Sequence, residues 1–382
     1  MQNTANSRSA ADLDLGLNDL GPLAWVLDEL RKSLDGANKA LKRFVRDAEA
    51  ARGSDLAALD SSQLRIARQQ LHQAVGALEM VGLGAPAVVL RAMETAAQKF
   101  VQRPEQCSAQ AVAQVERASF ALTEYLENVL AGKGAPSVAL FPQYREVQTI
   151  NAAERIHPAD LWTHEWRWIS IPLVPAADSA QAVTRAQMDP LLLRVVKTLD
   201  PQAAAALKEE SLQLATAASD KKQRNFWMIA AAYFESLSHS KLPSDMYVKR
   251  AASRVLLQFT TLSKGDSEVS ERLAHDLLFF CAQAGVDASA PVLTLVRQTY
   301  GLADYKPVDY EFSAFGRFDP VVLQQARKRV LAAKESWSHV TGGDTTKLTV
   351  FERLNVRSVR RELLDRLHHN DPSLAAELLQ DP

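Results

Sequence analysis

Apolar residues recur at intervals of three and four along most of the chain, with polar residues between them. The first such stripe runs from Pro22 to about Arg52, and others follow in residues 61–80, 88–101 and 108–132. This spacing is typical of amphipathic α-helices. Because short connections join antiparallel neighbours, residues 21–132 are predicted to form an antiparallel four-helix bundle. Residues 1–20 are polar and aperiodic, and are predicted to be a disordered lead-in.

Local signals support the helix starts within this bundle. Asp60-Ser-Ser-Gln63 resembles a capping box for the second helix, and Ser108 is a candidate N-cap for the fourth. Gly82-Leu-Gly84-Ala-Pro86 interrupts the pattern, so the third helix is predicted from Val88 to Val101.

Helical periodicity returns after residue 188, and alternating strand patterns are essentially missing. We predict a C-terminal helical, bundle-like domain over residues 189–340 and further helices over residues 341–382. The fold class is therefore predicted to be all-α. The individual helices are expected at 191–199, 201–218, 223–240, 243–262, 267–285, 291–301, 319–340, 346–369 and 372–380.

Residues 133–188 form a connector of different composition, with five prolines and a cluster of tryptophans, Trp162, Trp166 and Trp168. A solvated linker should not carry so much aromatic surface. Two interpretations stay open. The tryptophans pack back on one of the helical domains, or they form a docking patch for a partner protein.

Composition excludes several classes of function. The chain has 44 basic and 45 acidic side chains, so its charge gives no general attraction to nucleic acid. Its two cysteines are far apart, which excludes a disulfide framework or a cysteine-built zinc site. No apolar run reaches the length of a membrane span, and the N-terminus has no signal-peptide core. We predict a cytoplasmic protein with no direct membrane insertion.

Catalytic signatures are also missing, including phosphate-binding glycine loops, zinc-protease motifs and nucleophile elbows. His157, His164 and Glu165 are close in sequence but lack the spacing of a metal site. We therefore predict no cofactor and no metal, and no catalytic domain is readable in this chain. If the chain is part of a larger protein, a histidine kinase remains an option for the parent.

His72 is the candidate for chemistry. It lies about 100° around the second helix from Leu71, on the polar flank. Gly76, one turn later, removes the side chain that would cover the imidazole. A neutral imidazole is a competent nucleophile toward an acyl phosphate, and an ordinary surface histidine is the alternative. The same flank carries residues that could contact a partner: Arg65, Arg68, Gln69 and Glu79.

The segment from His72 to Leu83 resembles the histidine phosphotransfer (HPt) motif. The resemblance includes Gly76, Ala77 and the helix exit at Gly82, and it places the phosphoacceptor at His72. The sequence departs from the motif at Val75, where the family normally has a lysine that steadies the phosphoryl group.

A wider resemblance covers most of the chain. Residues 20–30, 68–80, 139–145 and 272–280 are similar to the N-terminal region of the hybrid chemosensory kinases of type IV pili (PilL/ChpA type) and to FimL-like proteins. This implies an HPt-like bundle followed by further helices that act as a docking module. The implied partners are a FimV-like polar hub protein and a response regulator of the pilus system, with recruitment to the cell pole and twitching motility as output.

Three functions are left in competition. The first is a non-catalytic scaffold of the type IV pilus chemosensory system. The second is an active phosphotransfer domain, which accepts phosphate on His72 and passes it to a response regulator. The third is an unrelated helical scaffold in which the motif match is a coincidence.

Overall fold

The computed structural model describes residues 21–51, 61–176, 183–285 and 289–342. Within these ranges all regular structure is helical and no strand occurs, which confirms the all-α prediction. The lead-in and the helices predicted at 346–369 and 372–380 lie outside the described residues. The α-helices are α1 (Gly21–Ala50), α2 (Ser62–Met80), α3 (Gly84–Gln102), α4 (Ala109–Leu130), α5 (Phe141–Ile150), α6 (Arg185–Thr198), α7 (Pro201–Ala217), α8 (Lys221–Ser238), α9 (Met246–Ser263), α10 (Glu271–Gln283), α11 (Pro291–Thr299) and α12 (Pro320–Thr341).

The described chain forms two compact units. The first unit contains α1 to α5. The chain enters this unit again at Glu311, so the unit also includes α12. The second unit contains Pro136–Val138 and Arg155–Tyr310. These boundaries differ from the sequence-based ones, because residues 139–154 pack with the bundle helices.

The apolar stripes of the first four helices form the interior of the first unit. α1 packs against α2 and α4, and α3 packs against α2 and α4. Predicted stripe residues such as Leu34, Leu71 and Leu122 are fully buried. α5 adds a fifth helix against α3 and α4. The HPt-like character of this bundle stays a prediction.

A late segment of the chain completes the first unit. The side-chain amide of Gln143, on α5, donates to the carbonyl of Phe315 over 2.7 Å. The ring of Phe315 packs edge-on against Tyr125 of α4, with ring centres 5.7 Å apart. The backbone N–H of Gly316 donates to the carboxylate of Glu124 over 3.0 Å. Residues 311–316 are therefore fixed on α4 and α5.

One predicted helix cap is confirmed, and one predicted helix start differs in position. The hydroxyl of Ser108 accepts from the N–H of Ala111, as a cap on α4 should. Asp60, the first residue of the capping box predicted before α2, lies outside the described residues, and the side chain of Ser61, directly before the helix, makes no capping hydrogen bond. α3 begins at Gly84 and not at Val88, since Pro86 is tolerated within a first helical turn.

α8 is the central helix of the second unit. Every residue from Asn225 to Leu237 is buried, and α7, α10 and α11 all pack against it. A helix with apolar residues on all sides is expected in a core position. Its one buried carboxylate, Glu235, accepts from the N–H of Leu293 over 2.7 Å and thereby caps α11.

Arg297 of α11 is buried and holds the end of α10. Its guanidinium donates to the carbonyls of Cys281, Ala282 and Ala284 at 3.1, 2.6 and 2.8 Å, and to the carbonyl of Tyr305 at 2.7 Å. These carbonyls belong to the last turn of a helix and to a loop, where backbone acceptors otherwise lack partners.

None of the helices in the described ranges has the length and apolarity that crossing a membrane requires.

Candidate functional site

α2 presents His72 to solvent. Leu71 and Val75 are buried in the first unit, so the intervening turn directs the imidazole outward, and 70% of its side chain is exposed. Its Nδ1 lies 2.9 Å from Oε1 of Glu94, which projects from the neighbouring helix α3. The exposure predicted from the polar flank of α2 is what the structure has.

The contact with Glu94 sets how the ring can react. An ionised carboxylate only accepts hydrogen bonds, so in the neutral ring the proton is assigned to Nδ1. Nε2 then keeps its lone pair, and the hydrogen bond to the carboxylate fixes the ring in this tautomer. The geometry therefore leaves a nucleophilic nitrogen at the surface.

The residues of the motif after His72 are placed in different surroundings. A Cβ built on Gly76 meets no other atom within 4 Å, so the glycine does not make room for a neighbour within the chain. Val75 is buried against the core and cannot support a group bound at the imidazole. Ala77 is half-buried, and Gly82 adopts a φ of +79° in the turn before α3, a conformation that favours glycine.

The polar side chains around His72 are all exposed, as predicted. Arg65, Arg68 and Gln69 lie on the turns before it, and Glu79 lies on the turns after it. Glu79 forms an ion pair with Arg91 of α3. The site is therefore a surface formed by two helices, with arginines on one side of the imidazole and the Glu79–Arg91 ion pair on the other.

Sequence reasoning missed Glu94 and Arg91, which belong to the same surface. Both are separated from His72 by the α2–α3 turn, and their contribution depends on the register between the two helices. The only available signal was the antiparallel arrangement itself, which brings the helix after the motif alongside it.

The three tryptophans of the connector lie in the second unit and differ in exposure. Trp162 is buried, with its ring stacked on His164 and edge-on to Phe279. This burial favours the packing interpretation for Trp162. Trp166 and Trp168 are half-buried, and Nε1 of Trp168 donates to Glu271 over 2.7 Å. A docking role for these two stays a prediction.

The histidines near the tryptophans are kept neutral by their surroundings. Burial, with the nearby His164 and Arg155, lowers the pKa of His275 to about 4. Burial also lowers the pKa of His164, and the Arg167 charge adds to the effect. Among the described residues no group of three or more histidine, cysteine or acidic side chains is arranged to hold a metal ion.

A buried ionic network joins the connector to α10. Asp276 is 1% exposed and binds Arg155 over 2.6 Å, and Arg155 also binds Asp160 over 2.9 Å. Burial raises the pKa of Asp276, against the opposing effect of Arg155. Burial and the nearby arginines, Arg155 first, lower the pKa of His157 well below its usual range. This network is structural, because its members bind one another and are shielded from solvent.

Comparison with protein families matches residues 175–313 to the second domain of the FimL scaffold protein. Residues 339–382 match a family of proteins of unknown function, DUF1062. No match was found among curated proteins or among solved structures. The first match covers most of the second unit, from the segment before α6 to the loop after α11.

Proposed function

Because the chain is a FimL-like protein over residues 175–313, we propose that it is a non-catalytic docking scaffold of the type IV pilus chemosensory system. The family match carries this proposal, since that family is named for a scaffold protein. A scaffold acts by binding proteins, and the output here is control of twitching motility. The proposed site of action is the cytoplasm, with recruitment to the cell pole.

The proposed partners are a FimV-like polar hub protein and the response regulator of the pilus system. The α2–α3 surface supports docking in the first unit, because Arg65 and Arg68 are exposed beside His72. Exposed charges of this kind steer association and select partners. The regulator is proposed to dock on this surface.

Calorimetry with the purified full chain tests the scaffold function. The chain should bind the hub protein or the regulator, and reversing both charges with Arg65→Glu and Arg68→Glu should weaken regulator binding. Arg43→Glu, on an exposed position of α1, is the matched control. Absence of binding to both proteins would refute the scaffold proposal.

Phosphotransfer on His72 is the second candidate, and the Nδ1–Glu94 contact favours it. Nε2 would attack the phosphorus of a phosphoaspartate on the regulator. The N–P bond forms as the acyl P–O bond breaks, and the aspartate leaves as a carboxylate. The buried Val75 in place of a lysine argues for the scaffold as the first choice.

Labelling from a phosphorylated regulator separates the two candidates. Phosphotransfer requires that the wild type and the control His239→Gln, an exposed histidine on the other unit, both take up label. It also requires that His72→Gln takes up none and that Glu94→Gln takes it up more slowly. Equal labelling of the wild type and His72→Gln would dismiss phosphotransfer.

A further inference from the structure

α9 of the second unit exposes a stripe of side chains between Met246 and Leu257. Measured around the helix from Met246, Arg250 is displaced by roughly 40°, Arg254 by roughly 80° and Leu257 by roughly 20°. All four side chains are exposed, as is Ser253. The opposite side of α9 is buried against α6 and α10.

The two ends of this α9 stripe are apolar. Met246 is 47% exposed and Leu257 is 64% exposed. They are eleven residues apart, which is roughly 16 Å along a helix. α6, which packs beside α9, adds a third exposed apolar side chain, Leu193. Singly exposed apolar side chains are ordinary, but Met246 and Leu257 on one stripe, with Leu193 exposed on the neighbouring helix, offer a partner apolar contacts at both ends of a charged segment.

The middle of the α9 stripe is positively charged. Arg250 and Arg254 lie on the stripe, the half-buried Lys249 lies beside it, and the helix contains no acidic residue. Arg254 approaches the buried Asp276 at 3.6 Å, but no carboxylate within the described ranges pairs with Lys249 or Arg250. The acidic cap of the helix, Asp245, is already bound to the N–H groups of Tyr247 and Val248.

We propose that the α9 stripe is a docking surface for an acidic amphipathic helix of a partner protein. Glutamate or aspartate on the partner faces Arg250 and Arg254, and its apolar side chains contact Met246 and Leu257. Charge complementarity identifies the partner as acidic. A partner helix laid along α9, with apolar side chains eleven positions apart, matches the spacing of the two anchors. This inference rests on the proposed scaffold function and assigns a binding surface to its FimL-type domain.

A pair of labelled peptides tests the surface on the full chain. The acidic peptide is a helix of about 20 residues, with two leucines eleven positions apart and glutamates between them on the same face. The second peptide is identical except that lysine replaces each glutamate. The acidic peptide should bind more tightly, and its affinity should fall with added salt.

Variants locate the binding. Arg250→Glu and Leu257→Glu should each weaken acidic-peptide binding about ten-fold or more. Arg250→Glu replaces a charge attraction with a repulsion, and Leu257→Glu buries a charge where the peptide needs an apolar contact. Ile66→Glu, at an exposed apolar position on α2, is the matched control and should bind as the wild type does. Circular dichroism verifies that the variants fold.

Three results would overturn the proposal: equal binding of both peptides, equal binding by Arg250→Glu and the wild type, or binding of phosphatidylglycerol-containing vesicles without binding of the acidic peptide. If the surface fails while the hub protein or the regulator still binds the wild-type chain, this inference falls and the scaffold function stands. If neither protein binds, the scaffold function falls.

Discussion

Nη2 of Arg155 lies 2.6 Å from the carboxylate of Asp276, and both groups are sheltered in the second unit. The pair ties the segment after α5 to α10. A buried ion pair of this kind is costly to break, because the remaining charge is left without a partner in a medium of low polarity.

Removing the arginine should therefore destabilise the protein strongly. We expect Arg155→Met to lower the free energy of unfolding by about 3 kcal/mol, as measured by urea denaturation. Lys32→Met, which removes an exposed ion pair with Glu29, should cost less than about 1 kcal/mol. Similar losses of unfolding free energy for the two variants would show that the Arg155–Asp276 pair contributes no more than an exposed ion pair does.

The depressed pKa of His275 should make stability depend on pH. Its value is about 4 in the folded protein against an ordinary 6.5, so between these limits the unfolded state binds more protons. The part of the stability that depends on neutral His275 is fully present above pH 6.5 and is lost as the pH falls toward 4. His275→Gln should remove about 3 kcal/mol of this change. Trp168→Phe, which removes no proton-binding group, should leave the dependence intact.

Glu210 should act in the opposite direction. Burial raises its pKa from 4.5 to about 7, so the folded state binds more protons than the unfolded state in that interval. Its contribution is favourable below pH 4.5 and is lost as the pH rises through 7. Because the side chain is partly solvated, Glu210→Gln should raise stability at pH 8 by about 1 kcal/mol and change little at pH 4. Glu209→Gln, which removes an ion pair with Lys208, should not stabilise the protein.

Two glycines should respond oppositely to alanine. Gly76 lies inside α2 with open space where the methyl group of an alanine would lie, so Gly76→Ala should stabilise the protein by about 1 kcal/mol. Gly316 has a φ of +73°, and a Cβ there would lie 2.6 Å from the carbonyl of Arg117. Gly316→Ala should destabilise by about 2 kcal/mol or more. Thermal unfolding of both variants measures the contrast, and equal effects would contradict it.

The buried stripe of α2 gives a test of the core. Leu71 is fully buried and Ile66 is 44% exposed on the same helix. Leu71→Ala should cost about 2–5 kcal/mol and Ile66→Ala much less, because only the first leaves a cavity. Denaturant titration of the two variants compares them directly. A comparable loss at Ile66 would place that side chain in the core.

Helix positions and buried faces were largely readable from the sequence, because each depends on residues three and four positions apart. The stripe through Leu64, Leu71 and Leu78 is buried as predicted. Contacts between helices were not readable in this way. Glu94 contacts His72 only because of the register between α2 and α3. α5 was not predicted, because it lies in a segment whose prolines indicated a connector. The cap at Ser108 was readable because a serine directly before an apolar-periodic segment is a strong N-cap signal.

The hydrogen bond between Gly316 and Glu124 joins positions 192 residues apart. A ribosome therefore releases α4 long before it has made the segment that covers Tyr125. The second unit is completed first, since its last residue, Tyr310, precedes Gly316. The bundle helices are therefore made before the segment that covers part of their apolar surface, and exposed apolar surface of this kind favours binding by chaperones or association with other chains.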